Sequence, residues 1–189
     1  MGESDETLAH CDDCIRAEHP WQQGRSALVY KDNSRRVVLG LKHGDRQDIA
    51  RPASLWMAAI AKDIVKSNML VIPVPLHWSR LLKRRYNQSA LLAQKVAKEL
   101  DLSWCPDALQ RLKRTCSLDG MGRDERFEHL EGVIKVHPKR RHRLIGRSIL
   151  LIDDVMTTGA TMSAATEACK IGGADHVSVL TLARAVKDA

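Results

Sequence analysis

The sequence predicts an α/β domain built on a parallel sheet, and three observations predict it. Residues 69–74, 149–152 and 177–182 are short apolar runs with no alternating polar face, as strands buried on both sides require. Stretches with apolar residues at helical spacing separate them. Gly172-Gly173 closes the last helical pattern just before residues 177–182, which gives a strand–helix–strand unit.

The elements follow in order. Residues 1–24 read as a lead-in and residues 25–189 as the domain. The lead-in holds one Cys-x-x-Cys pair, Cys11 and Cys14, with His10 beside it and His19 beyond. Structural zinc takes four ligands, and Cys105, Cys116 and Cys169 are scattered. The pair is therefore either half of a completed or shared zinc site, or the remnant of a larger ribbon. Residues 25–30 read as a strand. Ser34 is placed to cap a helix carrying Val37, Val38 and Leu41, with Lys42-His43-Gly44-Asp45 as the polar turn after it. Residues 49–65 show helical spacing, with Leu55, Ala58 and Ala59 among the apolar positions and Lys62 outward. Pro75 ends the strand at 69–74. A further helix carries Leu92, Val96 and Leu100 on one stripe, with Ala93 and Ala97 alongside.

Residues 103–146 are less regular. Arg111, Lys113, Arg114 and Thr115 open a polar segment with Gly120, Gly122, Arg123 and Arg126, which reads as a mobile loop over a site. Residues 133–136 make a brief strand. Lys139, Arg140, Arg141 and Arg143 form a compact basic cluster, either a solvated turn or a contact for nucleic acid.

Composition bounds the function. A chain of 189 residues makes one domain, with room for a small appendage and a proper core. No apolar run approaches the length of a membrane span, and the polar, acidic first ten residues carry no secretory signal. Five cysteines, an odd number, suit a reducing compartment better than a disulfide framework, so a cytoplasmic location is expected. The net charge of +7 implies an anionic ligand or partner.

Chemistry concentrates at residues 147–161. The apolar strand ends in Asp153 and Asp154, and Thr157, Thr158, Gly159, Ala160 and Thr161 lead into a helix. Ligands of open parallel sheets bind beyond the carboxyl ends of the strands. Glycine allows close backbone approach, and the unpaired N–H groups opening the helix suit a phosphate. The acids would accept hydrogen bonds from sugar hydroxyls or from water around a divalent ion. An acid pair followed by a phosphate cradle reads as a site for a ribose 5-phosphate. A Walker loop is excluded, because its glycine-lysine pattern is absent. A second stretch, residues 73–88, sets Arg80, Lys83, Arg84, Arg85, Asn87 and Gln88 between a strand and a helix. It is either a solvated helix start or a loop meeting the pyrophosphate end of that ligand.

Residues 151–161 closely resemble the 5-phosphoribosyl 1-pyrophosphate (PRPP) signature of type I phosphoribosyltransferases: apolar strand, Asp-Asp, Thr-Thr-Gly-x-Thr. From about Tyr30 onward the chain resembles the ComF/GntX branch of that family. The resemblance rests on Cys11 and Cys14, Leu41-Lys42-His43-Gly44, Ile72-Pro-Val-Pro-Leu-His77, Arg80, Asn87-Gln88, Arg111 to Thr115, Arg123 to Phe127, and the PRPP motif. Three departures stand out: the ribbon is cut to one cysteine pair, a glycine is missing before Tyr86, and Leu118 replaces a customary Gln. The resemblance implies a type I phosphoribosyltransferase fold, a parallel sheet flanked by helices with a flexible hood. It implies that Asp153 and Asp154 hold the ribose, Thr157 to Thr161 the 5-phosphate, and Arg80, Arg84, Asn87 and Gln88 the pyrophosphate. Lys42, Arg111, Thr115 and Arg123 would serve as hood or accessory residues. Magnesium would bind with PRPP, and zinc at the cysteines. The role implied is phosphoribosyl transfer linked to DNA uptake or utilization. The alternative is a non-catalytic, PRPP-sensing accessory protein of competence that binds single-stranded DNA and other competence proteins.

Overall fold

The computed structural model describes residues 19–43, 46–113 and 122–186. Five strands build the main sheet: β1 (Gln23–Val29), β2 (Leu70–Pro73), β3 (Ser103–Trp104), β6 (Ser148–Met156) and β7 (His176–Arg184). All are parallel, in the order β1-β7-β6-β2-β3. The expected apolar runs occupy the middle of the sheet, where β2, β6 and β7 are buried for most of their length. The short pair β4 (Leu109–Arg111) and β5 (Ile134–Val136) is antiparallel and separate.

Helices cover both faces. On one lie α1 (Asp32–His43), α2 (Ala50–Ala61) and α4 (Gln88–Glu99), which bury Val38, Leu41, Met57, Leu92 and Val96 against Val71, Leu150, Ile152 and Leu180. On the other lies α6 (Ala160–Ile171), with α5 (Arg123–Leu130) and the β4–β5 pair beside it. This face buries Met162, Ala165 and Cys169 against Ile72, Ile149, Leu151, Val177 and Val179. The period of two in β6 explains the division over residues 149–152: Leu150 and Ile152 meet one layer, Ile149 and Leu151 the other. The short helix α3 (Trp78–Arg84) bridges β2 and α4.

Several expectations shift. Helix α1 starts at Asp32, and Ser34 lies inside it. The Ser34 hydroxyl accepts from Lys31 N–H at 2.9 Å and contacts the Lys31 and Val29 carbonyls. Helix α2 buries Ala53, Met57 and Ala61, while Leu55 faces solvent at 47% exposure. Residues 123–130, expected as loop, form α5. Its apolar face is only Phe127 and Leu130, too sparse a stripe to stand out from the surrounding charge. Packing also begins before Arg25. Gln22 exchanges two hydrogen bonds with the backbone of Val177, and Trp21 joins the α6-side core.

Candidate functional site

The sheet has one topological switch. From β2 the chain crosses through α4 on one face to β3 at the edge; from β6 it crosses through α6 on the other face to β7. The two connections diverge between β2 and β6, which pair directly, Pro73 opposite Ile152. A crevice opens at such a point beyond the carboxyl ends of the strands. The two chemistry-bearing stretches of the sequence follow these two strands, so they flank the same crevice.

The turn after β6 is a cradle. Asp153, Val155 and residues 156–162 line a shallow cleft. Gly159 is the N-cap of α6 with φ +84°, a left-handed conformation that L side chains rarely adopt. A Cβ there would also lie 3.1 Å from the Trp21 ring, whose face stacks on His19 with centroids 4.2 Å apart. The N–H groups of the first turn of a twelve-residue helix therefore open into the cleft, with the positive end of its dipole. Thr158 Oγ1 accepts from Ala160 N–H at 3.5 Å, and Arg126 of α5 donates to Thr157 Oγ1 at 3.2 Å.

The two acids have different surroundings, as adjacent strand residues must. Asp154 is 8% exposed and its Oδ2 lies 3.3 Å from Lys42 Nζ at the end of α1. Asp153 lines the cleft. Its Oδ1 accepts from Ser89 Oγ at 2.7 Å and from Asp154 N–H at 2.9 Å. Burial, and then the neighbouring Asp154 carboxylate, push the Asp153 carboxyl up to about 7 against the opposing hydrogen bonds and Lys42.

The remaining expected residues fall in several places. Asn87 caps α4, accepting from Ser89 N–H at 3.0 Å, and its amide donates to Val74 O at 3.1 Å. Gln88, 1% exposed, opens the same helix. Arg80 and Arg84 belong to α3 and Arg123 to α5, with side chains outside those described. Arg111 ends β4. Thr115, Leu118, Cys11, Cys14 and the Gly44-Asp45 turn lie outside the described residues. The basic cluster is a 3-10 helix, Pro138–Arg143, capped by His137. Within it Arg140 grips both oxygens of Asp107, each at 3.0 Å from Nε, which holds the Asp107 carboxyl below the usual range. The sequence reading missed Ser89, Trp21 and His19 as parts of this site. Only Ser89 had a signal, its place directly after the Asn-Gln of the basic stretch.

The phosphoribosyl transferase domain model matches residues 87–188, more than half of the chain. Competence protein F of Haemophilus influenzae is 26% identical over 181 residues, covering 93% of this chain and 79% of that protein. The DNA utilization protein YhgH of Escherichia coli (strain K12) is 26% identical, covering 92% and 77%. Competence protein ComFC of Bacillus subtilis is 29% identical, covering 93% and 72%. The chain belongs to the ComF-like phosphoribosyltransferase family. Its parallel sheet between helical layers is the type I phosphoribosyltransferase fold. Residues 87–188 run from the N-cap of α4 past the end of β7, so the matched segment contains Ser89, both acids and the whole cradle.

Proposed function

We propose that this chain binds PRPP with magnesium in the crevice between β2 and β6. It transfers the phosphoribosyl group to an acceptor with release of pyrophosphate, in a role linked to DNA uptake or utilization. The observation that carries this reading is the cradle: Gly159 at positive φ opens the first turn of α6 six residues after Asp153, and both line one cleft. In this reading residues 157–161 hold the 5-phosphate, Asp153 and Asp154 accept from the ribose hydroxyls, and Arg80 and Arg84 meet the pyrophosphate. The family and the names of its relatives support the choice of ligand and of cellular role.

Magnesium prefers oxygen ligands, keeps several waters and takes one or two carboxylates with substrate phosphates. Among the described residues no group of three or more His, Cys, Asp or Glu could hold a metal ion. With Lys42 already paired to Asp154, the residues here fit an ion carried by PRPP oxygens and water. When bound, the ion would neutralise charge on the departing pyrophosphate. The protein fixes the phosphate and ribose and turns C1 toward the acceptor. The bond from C1 to the pyrophosphate oxygen breaks through an oxocarbenium-like state, its electron pair leaving with pyrophosphate, and a nucleophile, a nitrogen in this reading, bonds to C1 and gives up its proton to solvent or the released pyrophosphate. Positioning and preorganised charge supply the catalysis. The test is pyrophosphate release from PRPP across a panel of nitrogen acceptors. Release that needs an acceptor supports transfer, and none with any acceptor removes it.

A second reading, a PRPP-sensing accessory protein that binds single-stranded DNA and other competence proteins, is favoured by the net charge of +7 and by Lys139 and Arg141, exposed on the 3-10 helix.

A further inference from the structure

We propose that Ser89 is a positioning residue for the Asp153 carboxylate, fixing which of its oxygens faces the ligand and coupling it to the basic loop after β2. The inference rests on the PRPP reading above and deepens it.

Ser89 is the second residue of α4 and is 3% exposed. Its hydroxyl reaches across to β6 and donates to Asp153 Oδ1 at 2.7 Å, and Asp154 N–H donates to the same oxygen at 2.9 Å. Among the described residues nothing donates to Oδ2. Two donors on one oxygen leave a carboxylate little freedom to turn, so Oδ2 is the acceptor offered to the cleft that Asp153 lines.

The groups around Asp153 make this donor matter. On its own strand stands the Asp154 carboxylate, which opposes ionisation. Lys42 of α1 favours ionisation from beyond Asp154. Strand β7 presents the uncharged Thr181, its register partner. The cradle presents threonines and Gly159, with Arg126 of α5 reaching Thr157. Ser89 is what α4 adds, and it favours the ionised carboxylate. A ligand hydroxyl needs an ionised acceptor here, because a protonated Oδ2 would compete as a donor.

The same turn is stapled to the other half of the site. Asn87 accepts from Ser89 N–H and donates through its amide to Val74 O, just past β2. The backbone of Ser89 is thus fixed through Asn87 to the chain just past β2, ahead of α3 with Arg80 and Arg84, and its side chain to the acid of the cradle.

The test follows the Asp153 carboxyl directly, by carbon-13 NMR of aspartate-labelled protein, with Asp153→Asn to assign the signal. It is run on wild type, Ser89→Ala and Ser89→Thr without ligand, alongside calorimetry of magnesium-PRPP between pH 5.5 and 8.5. Ser89→Ala raises the Asp153 midpoint by about one pH unit, and so weakens PRPP about fivefold at pH 7 and close to tenfold at the acid end of the range, with recovery at the alkaline end. Ser89→Thr keeps the hydroxyl and the wild-type midpoint. An unmoved midpoint in Ser89→Ala, with or without a loss of melting temperature, overturns the inference and leaves PRPP binding standing. Wild-type protein that binds no PRPP at any pH overturns the proposed function, and the ligand-free midpoints then still decide the role of Ser89.

Discussion

Lys42 Nζ lies 3.3 Å from Asp154 Oδ2, and this ion pair joins the end of α1 to the ligand-facing end of β6. Both side chains are largely withdrawn from water, at 24% and 11% exposure. Removing one partner leaves the other charge partly desolvated and unpaired. Lys42→Met and Asp154→Asn should therefore each lower stability in denaturant titrations. The double variant should lose less than the sum, with a coupling of about 1–2 kcal/mol. Additive losses would show that the ion pair carries no energy.

Asp153 sets an opposite pH trend from an ordinary paired carboxylate. Its folded-state carboxyl is raised to about 7 from an ordinary value of 3.8. The folded state then holds more protons than the unfolded state between those values, so stability falls as pH rises through that window and levels off above it. Each pH unit of difference is worth about 1.4 kcal/mol. Asp153→Asn, which keeps an oxygen for Ser89, should melt higher than wild type at pH 8 and close to it at pH 4. It should also lose ligand affinity, the common trade at a functional site. A variant that gains no stability at pH 8 over its value at pH 4 contradicts the assignment of the raised carboxyl.

What the sequence revealed and what it hid divide along contact distance in the chain. The apolar strand, Asp153-Asp154 and Gly159 lie within one short stretch of chain, so both their order and their chemistry are legible. The sheet order is not. That β2 lies beside β6 depends on packing α2 and α4 on one face and α6 on the other. Ser89 meets Asp153 across 64 residues, and a buried serine in the first turn of a helix has no distinguishing pattern. Trp21 reads as part of a polar lead-in until the strand it precedes docks at the sheet edge against β7. The charged face of α5 hid a helix, because its stability comes from Phe127 and Leu130 docking on the core.

The basic cluster also needs its pairing to be read correctly. Arg140 is bound to Asp107, 33 residues away, so it is the wrong residue with which to probe nucleic acid. On the accessory-protein reading, Lys139, Arg141 and Arg143 changed to Gln should flatten the dependence of single-stranded DNA affinity on log salt. The slope should fall by roughly 0.7 for each phosphate no longer neutralised, about two units in all. PRPP affinity should stay unchanged. Titration by fluorescence anisotropy at several salt concentrations measures the slope. An unaltered slope makes the 3-10 helix a solvated turn.

The central claim is that the crevice between β2 and β6 takes PRPP through its acids and its cradle. Calorimetry with magnesium-PRPP on wild type and on Asp153→Ala/Asp154→Ala tests it most directly. Each charge-assisted hydrogen bond removed is worth about 1.5–3 kcal/mol, so the double variant should bind tens-fold more weakly or worse. Equal affinity in the two proteins, or no binding by wild type, would contradict the claim.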